Sequence, residues 1–471
     1  MILLHSLPII VVLILIAVFK KPPVSAALFG ALSALVLWGL NVADPFSVQV
    51  AHSVLSDTAI LFLTVAFIMA TGLTLVILLD KTPTNHAFNE WINTLNLPEY
   101  RKLLLIVLGI APLLESMTGF GVSLIASLPI LLSFLPRQTA LKIAITTLAI
   151  MPLGMVGLAS IIGSSLVDIP TAALASMSAL ISSPVLIFLT GLALYYAGLL
   201  NLKLLCSVIG FGTLFATVLY VTCVWIGVEV AGIFASLSVI LTCFIGRKVH
   251  IPKQTWAYGL LFIAILLLKV IGFFFDLSVI IKIEGANTQF EPMKSPGLAI
   301  LLVAFFVWWA NRSQYTFHQL YTEWLKRASR PLITIFCFLL MSQIMVQGGF
   351  LASFRQLLND LPTHFYAPLF TLLGTIGGYL TGSTLGGNIL IMPSLPSPDA
   401  TLGAIINSSA GHAALGSLPM IALIASLAKA TKEEEQNLAR FALMIIAMNT
   451  VLVAIMGTFI YSLDDSVITS G

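Results

Sequence analysis

Residues 111–123 run Ala111-Pro112-Leu113-Leu114-Glu115-Ser116-Met117-Thr118-Gly119-Phe120-Gly121-Val122-Ser123, between two apolar stretches. Its polar members do not suit a helix in lipid. Pro112 withholds a backbone donor, Gly119 and Gly121 loosen the helix, and Glu115 is costly to bury. Non-helical backbone at membrane depth persists only inside protein or beside a water-filled cavity, so the stretch reads as a built site. Two kinds of chemistry suit Glu115. Protonated, it carries a proton; ionised, it helps ligate a cation. The bland alternative is a neutral acid bracing a broken helix end. Thr118, Gly119, Gly121 and Ser123 suit a turn that frees backbone N–H groups for an anion at a half-helix N-terminus. Glycines that merely let helices pack closely are the alternative.

A second stretch has similar chemistry without a charge. Gly377-Gly378-Tyr379-Leu380-Thr381-Gly382-Ser383-Thr384-Leu385-Gly386-Gly387-Asn388 is rich in glycine and hydroxyls and ends in an amide. Thr381, Gly382, Ser383 and Asn388 read as unwound backbone and donors around a small polar ligand. Further on, Asn407 and Ser408 either bind that ligand or stitch helices together, the commoner use of such serines. His412 is a candidate proton relay or anion partner, or a lone satisfied histidine.

These residues need elements to hold them. The 471 residues are 59% hydrophobic and 9% charged, with a mean hydropathy of +1.06. Soluble domains carry roughly 25% charged residues, so this is a polytopic membrane protein. Cys206, Cys223, Cys243 and Cys337 sit in apolar runs without metal or redox spacing and read as small core residues. The first apolar run, 2–19, has no basic segment before it and no small-residue cleavage site, and reads as an uncleaved span. Motifs of membrane proteases, hydrolases and ATP-driven pumps are absent from the sequence.

Positive charge sets the expected orientation. Lys20, Lys21, Lys81, Arg101, Lys102, Arg247, Lys248, Lys326, Arg327 and Arg330 fall inside if the N-terminus is outside; Asp57, Asp168, Glu229 and the mixed loop 276–296 fall outside. Arg355, placed outside, is the exception. Spans are expected at 143–163, 331–348 and 401–428 among others, with half-helices or re-entrant hairpins near 103–135 and 366–395. Residues 86–97 and 350–361 are amphipathic and are expected in the interface plane, as is 313–330, with Tyr315 and Trp324 beside basic residues. Lys269, near a span end, is expected to snorkel.

The second half repeats the odd features of the first. Pro98 and Pro362 stand 264 positions apart, Thr118 and Thr381 263, and Thr146 and Asn407 261. Combined with the charge pattern, the repeats have opposite orientation, which is the plan of many secondary transporters. The segmentation is therefore 1–58 for the N-terminal spans and 59–200 for the first repeat. Connecting spans fill 201–310, and the second repeat covers 311–471.

At these residues the chain resembles the L-lactate permease family of bacterial membrane transporters. The resemblance rests on Glu115-Ser116-Met117-Thr118-Gly119-Phe120-Gly121, on Leu380-Thr381-Gly382-Ser383 followed by Asn388, and on Asn407-Ser408-Ser409 followed by Gly411. It implies uptake of lactate, glycolate and similar 2-hydroxy acids with protons. The chain departs from the family pattern at Thr384, at Leu415, where a lysine is usual, and at Thr146.

The expectation is an all-α polytopic membrane protein with about 12–14 membrane segments in two inverted-topology repeats with broken or re-entrant helices. Its expected function is proton symport of a small organic anion in the bacterial cytoplasmic (inner) membrane. Glu115 would couple, and Thr118, Gly119, Gly121, Ser123, Thr381, Gly382, Ser383, Asn388, Asn407, Ser408 and His412 would bind substrate. Expected partners are the substrate, H⁺ and the lipid bilayer, with Na⁺ as the alternative ion, no cofactor, no metal and no nucleic acid; a homodimer is compatible with this reading. A channel or uniporter would use the same broken helices without needing a gradient. A sensor or flippase would bind ligand or lipid without accumulating solute. The polar residues form no nucleophile–base set, so an enzyme is not expected.

Overall fold

Hydrocarbon offers a peptide group no hydrogen-bond partner, so a chain this apolar must satisfy its backbone within helices. The computed structural model describes residues 2–82, 84–119, 121–247, 252–312 and 316–469. Phe120, Lys248 and Tyr315, named above, lie outside the described residues. The protein is an all-α polytopic membrane protein, 80% helical. Among the described residues, seven helices are long and apolar enough to cross a membrane, including Val48–Asp80, Thr171–Tyr196, Leu202–Trp225 and Phe317–Gln347.

Burial separates inner helices from outer ones. The Leu202–Trp225 and Lys253–Phe274 helices expose large apolar side chains, with Trp225 82% and Phe273 84% exposed. Such faces fit lipid contact. The Thr171–Tyr196 helix and the stretch 400–414 are mostly buried and form the interior. There the Tyr366–Thr381 helix packs against Ala400–Ala414 through small residues: a Cβ on Gly374 or Gly378 would strike Ser409 or the Ala410 backbone. Glycine at these positions lets two helices approach backbone to backbone. Leu415 is fully buried at the end of this interior helix.

The chain breaks where the sequence placed its two site motifs. One helix ends at Thr118 and the next begins at Val122; another ends at Thr381 and the next begins at Thr384. Two further breaks correct the expected spans. The 143–163 span is not continuous: a helix ends at Thr146, and helical geometry resumes only at Met155–Gly157 and Leu158–Leu166. Pro152 lacks a donor and Gly154 and Gly157 take positive φ, so the intervening backbone cannot be helical. Likewise 401–428 is two helices, Ala400–Ala414 and Leu418–Ala428, with Pro419 at the second helix's start.

Three other expectations change. Residues 317–330 do not form a separate interfacial helix; they run straight into the span as Phe317–Gln347, with Pro331 inside. Lys269 does not simply snorkel: its Nζ lies 2.7 Å from Glu229 Oε2. Asp57 is no loop charge. It is fully buried in the Val48–Asp80 helix and accepts hydrogen bonds from the Asn287 backbone and side chain (2.8 Å each), Thr288 (3.0 Å) and Gln347 (2.9 Å). Asn287 and Thr288 belong to a short antiparallel hairpin, Ile283–Glu284 with Gln289–Phe290, which Asp57 pins to the helix bundle.

The same order of elements occurs in both halves. Short helices at Thr84–Thr94 and Ala352–Asn359 each precede a proline, Pro98 or Pro362. Each is followed by helical chain ending at Thr-Gly, a short helix after the break, and a second broken pair.

Candidate functional site

The breaks converge on one cavity of about 490 Å³. Glu115 and Gly119 reach it from the first break, Met151, Gly154 and Met155 from the second. Thr381, Gly382, Ser383 and Thr384 line it from the third, and Pro419 and Met420 from the fourth. Arg330 and Thr334 of the long Phe317–Gln347 helix complete the wall, together with Pro22 and Pro23. Glu115 is 3% exposed, whereas Pro22 and Arg330 are exposed, so the cavity runs from an open end at these two residues to a buried acid.

Local geometry explains how Glu115 is held. Gly119 has φ +64° and ψ −161°, a region open essentially to glycine, and so turns the chain sharply. Gly121 follows with φ +73°. The turn brings Ser123 back over the preceding helix, where its Oγ donates to Glu115 Oε2 at 2.6 Å; the Gly121 N–H reaches Oε1 at 3.4 Å. No basic side chain pairs with Glu115 among the described residues.

The other expected site residues divide. Gly119, Thr381, Gly382 and Ser383 line the cavity with Glu115. Thr381 shares its one hydroxyl proton within its own turn, between the carbonyls of Gly377 (2.8 Å) and Ser383 (3.0 Å). Ser383 Oγ accepts from the Gly386 N–H at 3.4 Å as the cap of the next helix, which leaves its own O–H proton available. Thr118 is fully buried and donates to the Leu114 carbonyl at 2.6 Å, away from the cavity wall. Gly121 and Ser123 hydrogen-bond to Glu115 and do not line the cavity.

Asn388, Asn407 and Ser408 lie behind the wall and stitch helices. Asn388 donates to Asn407 Oδ1 at 2.7 Å and to the Ala159 carbonyl at 3.0 Å. Asn407 donates to the Pro152 carbonyl and Ser178 Oγ, both at 2.9 Å. Ser408 donates to the Ser178 carbonyl at 3.2 Å. Of these bonds, the one from Asn407 to the Pro152 carbonyl satisfies a group that the non-helical stretch 147–157 leaves without a helical partner. His412 is 1% exposed, away from the cavity, and neither ring nitrogen has a hydrogen-bond partner among the described residues.

Sequence reasoning missed the wall formed by Met151, Gly154 and Met155, and the two side chains Arg330 and Thr334. The signal for the first was Pro152 with Gly154 and Gly157, spaced to forbid a helix. Thr384 also gains a place: its Oγ donates to the Met151 carbonyl at 2.6 Å and ties the second break to the third.

A second cavity, of about 360 Å³, lies toward the hairpin end and is lined by Glu229, Lys269 and Lys294. The two cavities share walls. On Val48–Asp80, Met69 faces the first and Thr64 and Ile68 the second. On Leu158–Leu166, Leu158 and Ala159 face the first and Ile161 the second.

A family model described as L-lactate permease matches residues 258–463. The match takes in Thr381-Gly382-Ser383, Asn388 and Asn407-Ser408, two of the three motifs behind the resemblance read in the sequence, and ends short of Glu115 on the N-terminal side. No curated protein matches the chain.

Proposed function

We propose that the chain is a secondary transporter of the bacterial cytoplasmic membrane, carrying a small monocarboxylate such as lactate or glycolate together with a proton. The observation that carries this reading is the convergence of two broken-helix turns on one cavity, with the buried Glu115 at its inner end. The similarity of residues 258–463 to L-lactate permease supports the substrate class.

Like charge supplies the coupling. An ionised Glu115 repels a carboxylate entering the same poorly solvated cavity, whereas a protonated one does not. Substrate anion and proton are then bound together or not at all. The paired cavities support alternating access. They open toward different ends of the bundle, and along each shared helix the wall between them is on the order of one turn. In this reading the two halves are inverted repeats, and small movements of the broken helices transfer the opening from one cavity to the other.

Purified protein in proteoliposomes tests this. An inward proton gradient should drive lactate accumulation, abolished by a protonophore and unaffected by replacing Na⁺ with K⁺. Glu115→Gln should retain lactate exchange and lose gradient-driven accumulation. Uptake that needs Na⁺, or flux that neither saturates nor accumulates, would replace proton symport by Na⁺ coupling or by a channel.

A further inference from the structure

We infer that Arg330 is the residue that captures the substrate carboxylate at the open end of the Glu115 cavity. The inference rests on the monocarboxylate reading and adds to it the residue that selects for an anion.

Among the described residues, Arg330 is the one cationic side chain lining that cavity. Two of its basic neighbours are engaged. Arg327 pairs with Asp80 at 2.9 Å and with Glu323 at 2.7 Å, and Lys81 pairs with Glu323 at 3.1 Å. Both acids of that cluster are thereby occupied, and Arg330 has no acidic partner among the described residues. An unpaired guanidinium at a cavity mouth presents a planar fork of donors matched to a carboxylate.

The rest of the wall suits a hydroxy acid. Thr334, one turn beyond Arg330, donates its hydroxyl to the Arg330 carbonyl at 2.8 Å, which leaves its oxygen lone pairs toward the cavity it lines. The Ser383 hydroxyl accepts from Gly386, and its O–H has no acceptor among the described residues. The hydroxyls of Thr381 and Thr384 are held by backbone carbonyls, and much of the remaining wall is apolar, with Met151, Met155, Leu158 and Phe338. A cation at one end, hydroxyls along the side and an acid at the far end define a short anion with a hydroxyl group. Pro331 directly follows Arg330 inside the helix and removes the N–H that would bond the Arg327 carbonyl. The helix is therefore locally weakened at the turn that carries the capturing residue.

A basic residue at a helix end also serves membrane orientation, and the test separates the two roles. Arg330→Lys keeps the charge and loses the fork; Arg330→Gln loses both; Lys326→Gln removes an adjacent charge outside the cavity wall. Lactate counterflow in proteoliposomes should show KM rising about tenfold or more for Arg330→Gln and severalfold for Arg330→Lys, with maximal exchange close to wild type and Lys326→Gln unchanged. Independently of transport, lactate should protect Arg330 from phenylglyoxal modification, read by peptide mass spectrometry, and the neutral isostere lactamide should not. Wild-type KM in both Arg330 variants, or equal protection by lactamide, overturns the assignment and leaves the transport reading standing. Wild-type protein that neither exchanges lactate nor is protected by it overturns both.

Discussion

Ser123 Oγ lies 2.6 Å from the Glu115 carboxylate, although a chain break separates the helices that carry them. It is the short hydrogen bond to that acid; the Gly121 N–H, at 3.4 Å, is a weak second. When Glu115 is ionised this bond is charge-assisted and worth roughly 1.5–3 kcal/mol. On the proposed mechanism Ser123 positions the coupling residue. Ser123→Ala should therefore lower gradient-driven accumulation about tenfold relative to lactate exchange, while Ser123→Thr keeps both. Comparing accumulation and exchange in the same vesicles checks this, since a purely structural role would lower the two together.

Asn407 makes a different prediction from the one its motif suggests. Its amide bonds the Pro152 carbonyl, Ser178 and Asn388, and it is fully buried behind the cavity wall. Asn407→Ala strands several buried polar groups, each costing about 1–3 kcal/mol. Asn407→Ala should lower the thermal unfolding temperature in detergent markedly, with an unchanged lactate KM in the protein that survives. A tenfold KM change at retained stability would instead place Asn407 among the ligands.

Much of this was legible in the chain. Apolar composition, and Glu115 between Pro112 and the Gly119–Gly121 pair, announce a broken helix in a membrane, because few other environments tolerate those residues together. The break at 147–157 was hidden, since Pro152 and the nearby glycines lie in a run apolar enough to pass for a span. Asn407 and Asn388 were visible as polar residues, but their direction was not: sequence spacing cannot say whether an amide faces a cavity or a neighbouring carbonyl. Arg330 looked like one of several basic residues at a helix end. Its place in the cavity wall sets it apart, together with the pairing of Asp80 and Glu323 with its neighbours, which joins helices more than 240 positions apart in sequence.

Gly119 offers a backbone test. Its φ of +64° excludes side chains without strain, and an added Cβ would lie 2.9 Å from Met155 Cβ. Gly119→Ala should destabilise the turn by roughly 1–3 kcal/mol and abolish or sharply reduce lactate exchange. Gly210 is the contrasting site: it sits inside the Leu202–Trp225 helix with open space around it, so Gly210→Ala should be neutral or stabilising by about 0.5–1 kcal/mol. Thermal unfolding of the two variants side by side checks the contrast.

Lys269 and Glu229 line the second cavity together, 2.7 Å apart, with side chains 34% and 14% exposed. At that depth the pair is partly screened, so its own attraction is modest, while stranding either charge is not. Removing Lys269 alone leaves Glu229 half-buried without its counter-ion. Lys269→Met should lower stability by roughly 1–3 kcal/mol, and adding Glu229→Gln should recover most of that loss, because the second change removes the uncompensated charge. A double-mutant cycle on thermal unfolding measures it. Additive losses would mean that the two side chains do not act as a pair, and the second cavity would then owe its shape to the surrounding helices alone.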